Sequence, residues 1–494
     1  MNTVLFQRSL LAAAISSAVV LPNAAWSGSL LDGASAVVEL RTAAEGYQIS
    51  GFDMVALPGG STALVWVEHK FGFDEGEADR VLMQQISATG QLLGSVQVLA
   101  ESATETFEFP TVAGDQNGNL AVAWTVKNTP DASFFTCSAE SDSIRGLTLA
   151  PPYTTSADLA LPDDQGFSPC SPKLAMDDDG DFVLVWSSES FGNFDLNLRT
   201  FQAGGVPFKT KLGLQTEINS FARLALQDNQ TMLLSWIESG TVLGQRLDLQ
   251  LNAVDSFANP NAAIFALDGD NFGSADFTDF NLTADSGGGF AVTLTRGGVD
   301  STSVSQMVQR WKADRSEGDS VTVITETGGS INATVPQIAS DSAGNLLTLW
   351  NYSDRLDVDK EVIVVAALDR SSQPLAEGSV VLANLSGTAA QGPFLAMNDD
   401  VIAVSWIANG GATIEARFLA PLTELPSPVI QGESDVSGET EVPNLAGNSS
   451  LQNPSEADIA GAFSHWLMAM LAAVFGFSRL VRQRLLGRFW FTNI

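Results

Sequence analysis

The sequence predicts an all-β protein built from seven similar sheet units, and three observations support that fold class. A hairpin phrase, read most cleanly at Pro172–Trp186, recurs six more times along the chain. The second strand of each phrase alternates large with smaller apolar residues, a period of two that indicates a strand covered on both faces. A lone strand at Ala36–Arg41 has no hairpin partner of its own, while the last repeat lacks one strand.

The spacing of the repeats predicts how the units are arranged. Consecutive phrases end 50 to 62 residues apart, at Trp66, Trp124, Trp186, Trp236, Leu294, Trp350 and Trp406. A period of this length accommodates four short strands with their turns. Sheets with two apolar faces shield one another when they stand around an axis, and seven of them favour a closed ring. We therefore predict a seven-bladed β-propeller over residues 28–421.

The third unit shows how each blade is built. Leu174–Met176 is a first strand, Asp177–Gly180 a tight turn, and Phe182–Trp186 a second strand. Asp and Gly are typical of such a reversal because Gly tolerates a positive φ. Leu196–Gly205 then supplies a third strand and its turn, and a fourth strand, such as Val96–Leu99 in the first unit, precedes the next hairpin.

The two ends of the repeat region are predicted to share one blade. The seventh repeat stops after its third strand, Ile414–Leu419, and has no fourth strand. We expect Ala36–Arg41 to supply that strand, because closing the ring removes exposed sheet edges that would otherwise pair with other chains.

The third unit, with the phrase DDDGDFVLVWSS followed by RTFQAGG, resembles the DxxGxFVVVWxS and RxFxxxG repeats of large secreted bacterial surface proteins. Those repeats are similar to propeller blades, and the likeness covers residues 36–421. The fifth unit lacks the aromatic residue, and the fourth and seventh lack the turn glycine. The resemblance implies a surface or extracellular module and brings no common catalytic residue with it.

Residues 1–27 are predicted to be a secretory signal peptide. Arg8 gives the positively charged start, Leu10–Leu21 the apolar run and Ala25–Ser27 a small-x-small cleavage site. A transmembrane helix is the weaker alternative because the apolar run is short.

The composition changes after residue 421. Residues 422–458 contain no Lys or Arg and are rich in Pro, Gly, Ser, Asn and acidic residues, which predicts a disordered acidic stalk. Residues 459–477 carry no formal charge and are long enough to span a bilayer, and an Arg-rich tail follows at 478–494. The positive-inside rule then places the tail in the cytoplasm and the exported body in the periplasm or at the cell surface.

The apolar segment is also similar to the tripartite C-terminal sorting segments of Gram-negative bacteria. Ser464-His465-Trp466 matches their Ser-x-Trp, whereas the Pro-Thr-Leu that precedes it there is absent. A plain single-span transmembrane anchor and an amphipathic helix packed on the propeller are the alternatives.

Charge limits the partners of the protein. The formal net charge is −33, from 57 acidic against 24 basic residues, so we expect the body to repel nucleic acid and anionic lipid surfaces. We expect a monomeric propeller whose partner is an extracellular protein or glycan, with membrane contact through the C-terminal helix.

Cys137 and Cys170 are the two cysteines of the chain. In an oxidising compartment they are predicted to form a disulfide, with two free thiols as the alternative. A zinc site is poorly supported because only His69 and His465 could join them.

The sequence contains no recognisable catalytic constellation. His69 would have to serve a Ser-His-Asp triad, but no Gly-x-Ser-x-Gly elbow accompanies it, so we interpret it as an exposed loop residue. Glu75, Glu77 and Asp79 are interpreted as a solvated charge cluster. We predict no catalytic residue and no organic cofactor.

Calcium is the cofactor that two acidic stretches could hold. Their carboxylates are hard oxygen ligands at a suitable spacing, although neither stretch matches the twelve-residue calcium loop, and a structural turn is the alternative. The candidate ligands are Asp177, Asp179, Asp181, Asp268, Asp270 and Asp276.

Two functions are consistent with these features. The first is a non-enzymatic binding module for a protein, glycan or matrix ligand, with the long loops Val126–Ser168 and Ala253–Asp279 displayed on a rigid ring. The second is a secreted polysaccharide hydrolase or lyase with carboxylates at the mouth of the propeller. Two carboxyl groups roughly 5–10 Å apart with a raised pKa would favour the enzyme. A structural role in a surface layer is a third possibility.

Overall fold

The computed structural model describes residues 30–424 except for 32, 71–77, 128–141, 155, 163–168, 191–192, 217–221, 229, 239–240, 255–263, 268–276, 297–302, 313–316, 328–330, 334–335, 355–356, 376–379 and 386–390. All of the described residues belong to the first of two units, Met1–Gln431 and Gly432–Ile494. The predicted signal peptide, apolar span and basic tail lie outside them, as does the stalk from residue 425 onward. Among the residues that are described, no helix has both the length and the apolar character needed to cross a membrane.

Seven antiparallel sheets follow one another along the described chain, and each is one blade. After β1 (Val38–Thr42), blade 1 contains β2 (Tyr47–Leu57), β3 (Ser61–Lys70), β4 (Asp79–Ser87) and β5 (Leu92–Ser102). Blade 2 contains β6 (Thr106–Gly114), β7 (Leu120–Lys127), β8 (Ser143–Leu149) and β9 (Ser156–Asp158). Blade 3 contains β10 (Pro169–Met176), β11 (Phe182–Ser190), β12 (Asn193–Gln202) and β13 (Val206–Thr216).

The remaining blades repeat this order. Blade 4 contains β14 (Arg223–Leu226), β15 (Thr231–Glu238), β16 (Thr241–Asp248) and β17 (Ile264–Ala266). Blade 5 contains β18 (Phe277–Asp285), β19 (Gly289–Arg296), β20 (Ser303–Trp311) and β21 (Glu317–Thr327). Blade 6 contains β22 (Ile331–Ala333), β23 (Gln337–Ser340), β24 (Leu346–Asp354), β25 (Asp357–Leu368) and β26 (Val380–Asn384). Blade 7 contains β27 (Gln391–Met397), β28 (Ile402–Ala408) and β29 (Thr413–Leu419). The helical segments within the described residues are single 3-10 turns at Ala203–Gly205, Asn409–Gly411 and Leu422–Glu424.

The N-terminal strand closes the ring. β1 pairs antiparallel with β29, with Val38 opposite Ala416 and Thr42 opposite Thr413, and the seventh sheet runs in the order β1-β29-β28-β27. The predicted seven-bladed propeller and its closure by the N-terminal strand are therefore confirmed. Leu422 is 3% exposed and packs in the core shared by blades 6 and 7, so the first residues after 421 still contact the propeller.

Large and small residues interlock between blades. Phe182, Leu184 and Trp186 on one face of β11 pack with Ala121 and Ala123 of blade 2. The valines on the opposite face of β11 pack against blade 4. The predicted alternation is confirmed, and it explains the stability of the ring because each sheet buries both faces against its neighbours.

The turn after the first strand contains a residue with a positive φ in blades 1 to 6. In blade 3 that residue is Gly180, with φ 87°, and a Cβ atom there would lie 2.8 Å from Asp115 Oδ2 of blade 2. In blade 4 the equivalent residue is Gln230, with φ 61°. The turn is therefore kept in a unit that has no glycine, which is why the weaker repeats still form blades.

Candidate binding site on the axis of the ring

The innermost strand of each blade carries one residue at an equivalent register position. In every blade it lies opposite the residue just before the buried Trp of the second strand, or before Leu294 in blade 5. We call these seven residues the axial ring: Asp53, Thr111, Lys173, Arg223, Asn281, Gln337 and Phe394. Six of the seven are polar, whereas the next residue in each strand is apolar. The inner strands therefore bury one set of side chains between blades and present the other set to the axis.

A bulge lies just before the axial position in five blades. The register shifts between Ile49 and Gly51 in blade 1, between Glu108 and Thr111 in blade 2, and between Cys170 and Lys173 in blade 3, with equivalent shifts in blades 5 and 7. Bulges bend a strand and change the direction of the side chains beside them. Because the bulges recur at equivalent positions, the axial residues of these five blades follow the same local distortion of the backbone.

Charged side chains of the axial ring act on one another electrostatically. Asp53 of blade 1 and Lys173 of blade 3 interact electrostatically although blade 2 lies between their strands. Lys173 also interacts with Arg223 of blade 4. The described axis of the propeller is therefore lined by charged and amide groups.

Asp53 is held by blade 2. Its Oδ2 accepts hydrogen bonds from the Thr111 hydroxyl at 3.0 Å and the Val112 N–H at 3.1 Å, and its Oδ1 accepts one from the Met54 N–H at 2.9 Å. Burial nevertheless raises the pKa of Asp53, with Lys173 and these hydrogen bonds acting in the opposite direction.

Lys173 and Arg223 place two positive charges on adjacent inner strands. Burial lowers the pKa of Lys173, and Asp53 partly offsets that effect while Arg223 adds to it. Burial also lowers the pKa of Arg223, and Asp279 opposes it from 3.5 Å. Within the described part of the chain, the Lys173 ammonium makes no direct hydrogen bond or ion pair.

The far side of the ring is mostly neutral. Asn281 Nδ2 donates a hydrogen bond to Gln337 Oε1 at 3.2 Å. Phe394 packs against Phe52, with ring centroids 4.3 Å apart. Asp279, two residues before Asn281, has a pKa raised by burial and lowered in part by Arg223. The ring thus combines two cations, one carboxylate, a hydroxyl, an amide pair and an aromatic side chain, with the Asp279 carboxylate beside it.

A cavity of about 240 Å³ lies one level below the axial ring, toward the turns that join the first two strands. Its walls come from the inner strands of blades 1, 6 and 7 and from the turn of blade 2, and include Val55, Asp115, Ala339, Ala396 and Asn398. Because four blades line it, this cavity is part of the central channel.

A second group of charged residues lies between blades 1 and 2, at the opposite end of the inner strands. We call His69, Asp79, Glu108 and Lys127 the blade 1–2 cluster. His69 Nδ1 lies 2.8 Å from Asp79 Oδ2, and Lys127 Nζ lies 2.8 Å from Glu108 Oε2. Burial raises the pKa of Glu108, and Lys127 and His69 lower it in part, while Asp79 acts with the burial.

Two expectations about this region are wrong. His69 is not an exposed loop residue, because it belongs to β3 and its side chain is 14% exposed. Asp79 is not solvated, because it begins β4 and accepts a hydrogen bond from the Phe107 N–H at 3.2 Å. The approach of blade 2 buries both side chains. Glu75 and Glu77 lie outside the described residues.

The first predicted calcium stretch is a hydrogen-bonded turn. Asp177 Oδ1 accepts the Asp181 N–H at 2.9 Å, and Asp181 Oδ1 accepts the Ala203 N–H at 2.8 Å. Burial raises the pKa of Asp177 to about 6. Among the described residues, no group of three or more His, Cys, Asp or Glu is placed to hold a metal ion. Calcium binding by Asp177, Asp179 and Asp181 stays a prediction.

The other predicted sites lie partly outside the described chain. Asp268, Asp270 and Asp276 belong to residues 268–276, which the structure does not describe, and so does Cys137 in residues 128–141. Cys170 is 0% exposed at the start of β10, and no cysteine of the described chain is free. The Cys137–Cys170 pairing stays a prediction.

The axial ring could have been found in the sequence. The repeats read GFDMV, FPTVA, SPKLA, FARLA, DFNLT, VPQIA and GPFLA, and the third residue of each is the axial residue. A position that varies among Asp, Thr, Lys, Arg, Asn, Gln and Phe between near-constant apolar neighbours is the signal. The hairpin pattern itself depends on the apolar neighbours and does not depend on the variable residue between them.

The fold and the axial ring define a class of protein, a seven-bladed β-propeller with a charged and amide-rich central channel. No protein-family model and no curated protein matches the sequence. Solved structures do match it, among them a polysaccharide lyase and a sialidase.

A protein of unknown function from Dyadobacter fermentans DSM 18053 is 10% identical, with a TM-score of 0.47 over 78% of this chain and 99% of that one. A polysaccharide lyase of a new family, an ulvan lyase, is 11% identical, with a TM-score of 0.45 over 77% of this chain and 96% of that one. A Hadza microbial sialidase is 13% identical, with a TM-score of 0.44 over 79% of this chain and 69% of that one. Likenesses at this level carry no argument about the function of the chain.

Proposed function

We propose that this protein is an exported, membrane- or surface-anchored β-propeller that binds a ligand at its axial ring without transforming it. The ligand is an extracellular protein, a glycan or a matrix component. Polar side chains gathered from seven blades on one axis are typical of a recognition site on a rigid scaffold.

The proposal rests on the observation that the carboxylates near the axis already accept hydrogen bonds or lie beside a cation of the protein. Asp53 accepts three hydrogen bonds, and Asp279 accepts the Phe280 N–H at 2.8 Å and lies 3.5 Å from Arg223. Glycoside hydrolysis by two carboxyl groups needs one as acid and the other facing the sugar. Carboxylates that are held by the protein favour orientation of a ligand over proton transfer to it.

The alternative function is a polysaccharide hydrolase or lyase, and the blade 1–2 cluster is the specific observation that favours it. His69 is oriented by Asp79, and the nearby Glu108 has a raised pKa. An oriented imidazole beside a carboxyl group of raised pKa can serve general acid–base catalysis.

A panel of soluble polysaccharides separates the two functions. The purified full-length chain is tested for binding by biolayer interferometry and for release of reducing ends or unsaturated products. We expect binding without products, weakened in Q337A but not in the matched surface variant Q91A, whose glutamine is exposed. Product formation by the wild-type chain that disappears in H69A would establish the enzyme and overturn the proposal.

Export and anchoring form part of the proposal. The apolar run near the start and the uncharged segment 459–477 before an Arg-rich tail support it. We expect deletion of residues 459–494 to release the protein from the membrane fraction. Retention of the truncated chain in that fraction would contradict the anchor.

A Cys137–Cys170 disulfide is expected in the exported protein. Reduction should change its mobility in non-reducing electrophoresis, because breaking the link frees the intervening residues. Unchanged mobility, with both thiols open to alkylation in the untreated protein, would rule the disulfide out.

A further inference from the structure

We infer that the axial ring receives a carboxylate group of an acidic sugar, held between Lys173 and Arg223. The inference rests on the proposed function, since it names the chemical class of the ligand bound at the same ring. The ligand is a hydroxylated monocarboxylate, either free or as a residue of a glycan.

The first observation concerns the ammonium group of Lys173. Its side chain is partly buried on an inner strand, and no described residue pairs directly with its ammonium group. Asp53, the carboxylate that acts on it electrostatically, is already held by Thr111 and Val112. A buried ammonium group ordinarily donates hydrogen bonds. Because the Lys173 ammonium has no direct partner among the described residues, it is available to an anion from outside the chain.

The second observation concerns the guanidinium group of Arg223. It lies at the same level on the adjacent blade, and its like charge acts on Lys173. Its contact with Asp279 is 3.5 Å, longer than a charge-assisted hydrogen bond. An anion between Lys173 and Arg223 would offset their mutual repulsion, and the planar guanidinium fork matches the two oxygens of a carboxylate.

The charge balance of the ring, taken together with the neighbouring Asp279, favours a monoanion. Lys173 and Arg223 are formally matched by Asp53 and Asp279, so the ligand adds its own negative charge to a neutral set. A doubly charged phosphate would experience more repulsion from the two carboxylates than a single carboxylate does.

The rest of the ring favours a sugar over a peptide terminus. Asn281 donates to Gln337 Oε1, and within the described chain the Gln337 Nε2 group has no acceptor of its own. Its two N–H groups suit sugar hydroxyls. Phe394, beside Phe52, adds an aromatic face against which the C–H face of a sugar ring can pack.

The test is isothermal titration calorimetry on the purified full-length chain. The probes are sodium D-galacturonate and sodium D-glucuronate, each compared with its methyl ester, the neutral parent hexose and the hexose 6-sulfate. We expect at least about a tenfold loss of affinity for the ester and the hexose, because the charged group is removed. Sulfate esters should also bind more weakly, since they lack the planar pair of oxygens.

Variants locate the carboxylate. K173M should lower affinity for both acids at least about tenfold, K173R should restore most of it, and neither should change affinity for the neutral hexoses. K209M is the matched control, because Lys209 is an exposed lysine on β13 of the same blade. Circular dichroism confirms that each variant is folded.

Three results would overturn the inference: equal affinity for acid and ester, full affinity of K173M for the acids, or no binding of either acid. The first two leave the proposed function standing, because the ring then binds a ligand through other groups. If no acid binds, the polysaccharide panel with Q337A decides separately whether the axial ring is a binding site.

Discussion

The blade 1–2 cluster and the axial ring both hold partly buried charges, but they neutralise them differently. In the cluster each charge has a direct partner, with His69–Asp79 and Lys127–Glu108 both at 2.8 Å. In the axial ring, Lys173 faces a carboxylate that other groups already hold.

The difference separates a structural use of charge from a binding use. Paired charges between two blades fix how the blades meet, and removing one partner leaves the other buried without compensation. A cation without a direct protein partner adds little to folding and is available to a ligand. Binding sites often reduce stability in this way.

The largest expected effect tests the structural role of the cluster. E108A should lower the free energy of unfolding by about 3–5 kcal/mol, because Lys127, which is 1% exposed, loses its counter-charge. Urea denaturation followed by tryptophan fluorescence measures the change. Replacement of both partners, in E108L/K127M, should recover most of the loss, and equal instability of the single and double variants would argue against the ion pair.

A smaller loss of stability is expected when the histidine of the same cluster is replaced. H69A should lower the free energy of unfolding by about 1.5 kcal/mol, because Asp79 loses one charged hydrogen bond and keeps the Phe107 N–H. Thermal denaturation measures this loss. The affinity of H69A for axial ligands should equal that of the wild-type chain, and a weaker affinity would place the cluster in the binding site.

Replacement of the axial lysine should change the free energy of unfolding in the opposite direction. K173M is expected to raise the free energy of unfolding slightly, by less than about 1 kcal/mol, because burial disfavours the Lys173 charge and no direct partner is lost. Thermal denaturation of the ligand-free chain measures the shift. A clear destabilisation would show that Lys173 serves the fold.

The pH dependence of that shift is the smallest effect. The pKa of Lys173 is lowered by burial from 10.5, so its charge destabilises the folded state at every pH below the lowered value. As the pH rises from the lowered pKa toward 10.5, this destabilisation disappears, and wild-type stability should approach that of K173M. Denaturation midpoints of both chains, compared near neutrality and at alkaline pH, measure it. A constant difference would contradict burial of the charge.

The blades and their closure could be predicted from sequence because they follow from repeated local rules. The phrase around Phe182–Trp186 encodes both packing faces, and the missing fourth strand of blade 7 indicates a partner at β1. Even Gln230 in place of glycine leaves the turn intact. A short-range pattern read seven times is strong evidence for a ring.

The contacts within the sites could not be predicted, because they depend on how the blades pack against one another. His69 and Glu108 are far apart in the printed sequence, and only the packing of blade 1 on blade 2 buries them together. Lys173 and Arg223 lie at one level because their strands have the same register around the axis, which a single repeat does not reveal. A comparison of all seven repeats at that one position would have identified the ring.

The most direct test of a ligand site on the axis is a crystal structure of the full-length chain soaked with sodium D-galacturonate, alongside the same crystal of K173M. We predict density for one sugar at the ring, with its carboxylate about 2.7–2.9 Å from Lys173 Nζ and from the Arg223 guanidinium. The K173M crystal should lack this density. A sugar bound elsewhere while the ring holds only water, or the same sugar in both crystals, would contradict the account.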